Sequence, residues 1–156
     1  MKARLGRLKA TLAEPLNRIS ADLIDKINRN INPPTPVTAA MVEIRAMYVV
    51  NDRVNSFGGR FPADEHHRLA ELLIDSPVVV GHRKDKLPVA RTFHATACTE
   101  NGERWVKAYF YWLKSAEGAE SLRENIDAGI YKECSIGFTF VLAECSICGR
   151  DIRLCN

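Results

Sequence analysis

Three prolines within four residues, Pro33, Pro34 and Pro36, divide the chain into two stretches that cannot share one secondary structure. Each proline removes a backbone donor and biases the residue before it to extended conformations, so a helix arriving from the amino-terminal side must stop there. Before the break, Leu16, Ile19, Leu23, Ile27 and Ile31 recur at three or four residues. Pro15 suits a first helical turn, and the spacing predicts an amphipathic helix over residues 15–31. From Val42 the period falls to two, with Val42, Ile44, Ala46 and Tyr48 on one face, as in a half-buried strand. The chain thus reads as a basic helical arm with a Pro-rich linker over 1–36, a main domain over 37–143 and a cysteine cluster over 144–156.

Within the main domain, Asp64 can cap a short helix bearing Leu69, Leu72 and Leu73, which Pro77 stops before the apolar strand Val78-Val79-Val80. Strands are predicted over 89–98 and 104–113, joined by the Asn101-Gly102 turn signal. Ser115 can cap a helix bearing Leu122 and Ile126 that ends at Gly129, and a last strand is predicted over 131–142. Many strands broken by short helices predict an α+β fold on an antiparallel sheet or barrel-like core, with the amphipathic helix added at the amino terminus.

At 156 residues, 46% apolar and 26% charged, one sizeable core is expected. No apolar run reaches the roughly 20 residues that span a bilayer, and residues 1–12 alternate basic and apolar side chains without the apolar core of a signal peptide. A soluble, intracellular protein is expected, in a reducing compartment, because the five cysteines do not form a dispersed disulfide framework. Up to Ile31 seven lysines and arginines stand against three acids, a net +4, which leaves −1 for the rest of a chain totalling +3. A basic arm on a near-neutral body suits an acidic partner surface better than nucleic acid.

Chemistry concentrates in Glu133-Cys134-Ser135-Ile136-Gly137-Phe138-Thr139-Phe140. On a strand, Cys134, Ile136, Phe138 and Phe140 face one way and Glu133, Ser135, Gly137 and Thr139 the other. Ser135 is then turned from the apolar side, and Gly137 on its face leaves main chain that a peptide can approach closely. An isolated serine on such a face is ordinarily a solvated surface residue. His82, after Gly81 and before Arg83-Lys84-Asp85-Lys86, is a base of the right pKa to take a hydroxyl proton.

The stretches Pro77-Val78-Val79-Val80-Gly81-His82 and Leu87-Pro88-Val89-Ala90-Arg91-Thr92, then a strand, an acidic helix and Cys134-Ser135-Ile136-Gly137-Phe138, resemble the prohead maturation proteases of tailed phages. Those enzymes are similar in fold to the herpesvirus assemblins, and the resemblance covers residues 42–142. It implies a serine endopeptidase with Ser135 as nucleophile and His82 as base, processing scaffold and major capsid protein extensions inside assembling proheads in the host cytoplasm. No cofactor is implied for catalysis. The family often has Gly-Arg where this chain has Ala90-Arg91. The herpesvirus enzymes use a second histidine after the serine, and none follows Ser135. Glu133 or Glu103 can orient the imidazole instead, with His94 a further candidate, and Arg91 can join main-chain amides in holding an oxyanion.

Cys145-x2-Cys148-Gly149-x5-Cys155 is a second constellation. Two cysteines two residues apart, followed by glycine, form a knuckle that aims both sulfurs at one tetrahedral structural zinc, and Cys155 can supply a third thiolate. Three alternatives stay open: a fourth ligand beyond Asn156, a ligand borrowed from elsewhere, or free thiols and no metal. Some prohead-protease-like sequences are similar in carrying such a cluster after the serine strand. Against the enzyme stand a non-enzymatic, scaffold-associated zinc module with a protease-like fold and a nucleic-acid-binding zinc protein, the latter lacking a basic patch interleaved with aromatics. A second copy of the chain is a further candidate partner.

Overall fold

The turn signal at Asn101-Gly102 builds the centre of the molecule. In the computed structural model both residues adopt left-handed backbone, with φ of 51° and 78°, the geometry a two-residue hairpin turn needs to match strand twist. The hairpin joins β4 (Ala90–Glu100) to β5 (Glu103–Leu113). The structure describes residues 10–11, 19–55, 58–83 and 85–155, with the main chain alone at Ala10, Thr11 and His82. Before the hairpin come β1 (Ala10–Thr11), α1 (Ala21–Asn30), β2 (Val42–Asn51), α2 (His66–Leu73) and β3 (Pro77–Val78). After it come α3 (Ala119–Asp127) and β6 (Glu133–Cys134).

β2, β5, β4 and β3 pair in that order, all antiparallel, in one sheet curled into a half-barrel, and β1 pairs with β6 in a separate ribbon. The fold is therefore α+β on an antiparallel sheet, and the barrel-like core anticipated from the sequence is half of one among the described residues. None of the described helices is long and apolar enough to cross a membrane.

Both faces of the sheet are covered. On one, Val42, Ile44 and Phe93 pack with Tyr109 and Tyr111 beneath Leu23 and Ile27 of α1. On the other, Met47, Val106, Ala108, Phe110 and Trp112 lie beneath α2, α3, Cys134 and Ile136. The two-sided burial follows from alternation: every second residue of β5 serves each cluster.

Where the structure describes the stretch expected as arm and linker, α1 packs through Leu23 and Ile27 on Val42, Ile44 and Phe93 of the sheet. α1 begins at Ala21, with the Ser20 hydroxyl accepting from Leu23 N, and Leu16 lies outside the described residues. Asn28 donates to Val37 O at 3.0 Å and accepts from Val37 N at 2.8 Å, which binds the segment after the prolines back onto the helix. Asn30 donates to Phe93 O at 2.9 Å. The prolines follow the helix end as expected, and beyond them Val37 is bonded back to Asn28 of the helix.

Other boundaries differ for local reasons. Gly81 at φ +64° folds Val80–His82 into a 3₁₀ turn, so the strand stops at Val78. Gly118, not Ser115, precedes α3. Of the strand expected over 131–142, Glu133 and Cys134 are the residues in a ladder among the described residues.

One ion pair holds α3 down. Arg45 donates from Nε and Nη2 to the two carboxylate oxygens of Asp127 at 2.8 and 2.7 Å, with its guanidinium 5.5 Å from the Trp112 ring centre. Its side chain is 8% exposed and that of Asp127 28%. Removing Asp127 leaves Arg45 with Glu43 at 3.1 Å as a second carboxylate partner but takes away two charge-assisted hydrogen bonds, so Asp127→Ala is expected to cost about 2 kcal/mol in urea or thermal unfolding. The Arg45 hydrogen bonds also hold the Asp127 carboxyl below its usual range, partly opposed by desolvation. The folded pKa then lies below the unfolded value of about 3.9, so the contribution is full above that value and is lost as pH falls through the lower folded one. Wild type should accordingly lose more stability than Asp127→Ala on acidification below about pH 4.

Candidate functional site

α3 delivers the chain to the serine segment. Gly129 at φ +73° breaks the helix, and Ile130 N and Tyr131 N both donate to Asn125 O, which redirects the main chain into β6. Cys134 and Ile136 then pack into the core beneath α2 and α3, while Ser135 and Gly137 are exposed. The alternation expected of a strand thus persists through residues that have no ladder. Phe138 is held by Phe61, edge to face at 4.9 Å between ring centres.

Burial separates the two adjacent nucleophile candidates. Desolvation pushes the Cys134 thiol up to about 12, and its sulfur sits 4.0 Å from Tyr48 O. A thiol that stays protonated is a packing group, not a nucleophile. Ser135, one residue on, is open to solvent.

His82 lies in the loop over 79–89, closed at its base where Val89 N donates to Val78 O at 3.0 Å. Val78 packs on the same cluster as Cys134 and Ile136, and Ala90 belongs to it. The segments that carry His82 and Ser135 are therefore both anchored on the α2 and α3 side of the sheet. The His82 side chain lies outside what the structure describes.

The supporting residues sort by position. Glu133 is exposed two residues before Ser135 and shares its outward face. Glu103 sits at the hairpin end of β5, held by Arg53 at 2.6 Å and by Asn51 at 3.2 Å. Its neighbour Glu100 is ten strand positions from Ala90, roughly 30 Å of extended chain, whereas His82 is four residues beyond Val78. Glu103 therefore does not orient His82. Arg91 stands opposite Tyr111 on the α1 side and is committed to Asp75 through its carboxylate at 2.6 Å and its carbonyl at 2.7 Å. It does not join Ser135 on the other side. His94 also faces α1, stacked on Tyr109 at 5.5 Å, with burial pulling its pKa down. A cleft of about 320 Å³ lined by Asp52, Arg60, Asp64 and Arg104 contains none of the expected site residues.

The cysteine cluster is assembled. Cys145 N donates to Arg150 O at 2.8 Å and Gly149 N to Cys145 O at 2.9 Å, with Gly149 at φ +68° completing the knuckle. Asp151 caps a 3₁₀ turn at Ile152–Leu154 that presents Cys155. The three sulfurs lie within 4.8 Å of one another, with Cys155 3.4 Å from Cys148 and 3.5 Å from Cys145. Tetrahedral Zn–S bonds of about 2.3 Å put sulfurs about 3.8 Å apart, so the set fits zinc. Main-chain N–H groups of Cys148 and Ile147 lower the Cys145 thiol to about 7, which favours a thiolate ligand, while the neighbouring sulfurs push Cys155 up to about 11. Among the described residues the group has these three members.

Two features had no warning in the sequence reading. Arg45 and Asp127, 82 residues apart, carry the helix that feeds the serine segment, and Phe61 steadies Phe138 from a loop. Arg45 as the one charged residue of the run 44–50 is the signal for the first; nothing local signals the second.

Purified protein is expected to contain about one zinc per chain by elemental analysis, and Cys148→Ser to lose most of it while thermal unfolding of the β2–β5 sheet is unchanged. Protein free of metal despite zinc in the medium would exclude the assignment.

Comparison with protein-family models, with curated proteins and with solved structures finds no match.

Proposed function

We propose that the chain is a serine endopeptidase of the prohead maturation type, in which Ser135 attacks the scissile carbonyl after giving its proton to His82. The observation that carries this reading is the anchoring of Cys134 and Ile136, which leaves Ser135 exposed on the side of the sheet where Val78 leads to the His82 loop. Glu133 is the carboxylate placed to orient the imidazolium, and main-chain amides of the serine segment supply donors for the oxyanion. Gly137 supports a peptide substrate, since even a Cβ there meets no described atom within 4 Å. The substrates are scaffold and capsid-protein extensions inside assembling proheads in the host cytoplasm, and the resemblance of residues 77–92 and 134–138 to that family supports this choice. The finer fold reading, a half-barrel of the assemblin type, belongs to the same proposal.

The three assembled thiols favour one other reading, a scaffold-associated zinc module that keeps a protease-like fold without catalysis. The two part on one experiment. Co-expressed with its scaffold protein, wild type should yield cleaved scaffold, while Ser135→Ala and His82→Ala each lose cleavage by at least about a thousandfold, because residues that act as a unit are not additive. Undiminished cleavage by Ser135→Ala rejects the nucleophile, and no cleavage by wild type favours the zinc module.

A further inference from the structure

The serine segment runs directly into the cysteine knuckle. Ile152 N donates to Ala143 O at 2.7 Å and Cys145 N to Arg150 O at 2.8 Å, with Glu144 and Asp151 bridged between them. The knuckle is thus the loop of a short hairpin whose first side is the chain arriving from Ser135.

Arg153 ties this hairpin back onto that chain. Its Nη2 donates to Val141 O at 2.9 Å, and its guanidinium carbon lies 5.9 Å from the centre of the Phe140 ring. Asp151 fixes the plane of the group by accepting from Arg153 Nε at 2.9 Å. From Phe140 the contacts run on to Phe138, 6.3 Å between ring centres, and from Phe138 to Phe61. The Phe61 carbonyl in turn accepts from His66 Nε2 at 3.2 Å, and His66 is wholly buried. The segment after Ser135 is therefore held by Phe61 at the core end and by Arg153 at the far end.

The two holds differ in kind. Phe61 is backed by the core, whereas the Arg153 side chain is 59% exposed, and an ion pair so open to water supplies little order by itself. What sets Arg153 is its turn, Ile152–Leu154, capped by Asp151 on one side and leading to Cys155 on the other. Arg153 lies between Cys148 and Cys155 in the chain, so ligation of both thiols closes the loop that carries it, and unligated thiols leave that loop free to open.

We infer that Arg153 is a positioning residue through which metal on the knuckle orders residues 138–143, so that Ser135 reacts at its full rate only when Cys145, Cys148 and Cys155 are ligated. The metal takes no part in the reaction, and the knuckle acts as a brace. The effect on Ser135 rests on the function proposed above, whereas the ordering of 138–143 does not.

Chymotrypsin and a serine-directed phosphonate, applied separately to the full chain with zinc and after chelation, test the inference. Phe138, Phe140 and Leu142 are exposed residues at which chymotrypsin cuts once the segment opens. In wild type, chelation should speed these cuts at least about tenfold and slow labelling of Ser135 at least about tenfold, with the β4–β5 hairpin intact. Arg153→Ala should retain about one zinc per chain by elemental analysis, show both changes with zinc bound, and respond no further to chelation, because effects of independent sites would add. Phe140→Ala, outside the knuckle, should shift the cuts at Phe138 and Leu142 in the same direction, and it decides the matter if Arg153→Ala does not hold zinc. Cuts and labelling in wild type that ignore chelation overturn the inference, as does zinc-bound Arg153→Ala behaving like zinc-bound wild type. Cuts that answer to metal and to Arg153 in a chain never labelled at Ser135 uphold the brace and reject the nucleophile assignment instead.

Discussion

Burial of β5 on both faces is the constraint from which the rest of the structure follows. A strand with Val106, Ala108, Phe110 and Trp112 on one side and Tyr109 and Tyr111 on the other cannot leave either side to water. Pairing with β2 and β4 satisfies its main chain, and the Asn101-Gly102 turn makes the second pairing local. Everything else is cover: α1 for one side, and α2, α3 and the serine segment for the other. At about 25 cal/mol per Å² of apolar surface removed from water, such cover outweighs the weak intrinsic preferences of short helices and of a two-residue strand.

The candidate site inherits its order from that cover. Arg45, almost wholly buried on β2, fixes Asp127 near the end of α3, and Gly129 then turns the chain so that Cys134 enters the core. Once Cys134 and Ile136 are inward, Ser135 is outward by alternation alone. The same burial that anchors Cys134 keeps its thiol protonated and leaves the Ser135 hydroxyl beside it as the exposed candidate. Cys145 of the carboxy-terminal knuckle shows the converse: main-chain donors at Cys148 and Ile147 bring its thiol down to about 7.

Features written in short-range pattern were legible in the sequence. Val42, Ile44, Ala46 and Tyr48 announced β2, Asn101-Gly102 announced the hairpin, and the cysteine spacing announced the knuckle whose sulfurs lie together. What depended on partners was not. Residues 135–140 have strand alternation, but a strand is defined by its neighbour, and the described neighbour ends at Ala10. The prolines were read as a boundary because their effect on a helix is local, whereas the Asn28 bonds to Val37 that fold the segment back are specific to the tertiary structure. Glu103 and Arg91 were plausible by residue type, and strand register sets Glu103 at the end of β4 far from the base of the His82 loop and turns Arg91 to the α1 side. Motif order assigned His82 and Ser135 to one site; what the fold adds is that Val78, which leads to the His82 loop, packs on the same cluster as Cys134 and Ile136.

The central claim is that Ser135 is a nucleophile activated by His82. The most direct measurement is the site and rate of covalent modification of the folded chain by a serine-directed phosphonate, mapped by mass spectrometry. The expected adduct is on Ser135, one per chain, and it forms at least about a hundredfold more slowly in His82→Ala, since the unassisted hydroxyl is a poor nucleophile. An adduct elsewhere, or none on Ser135 in a chain whose β4–β5 hairpin is intact, would contradict it.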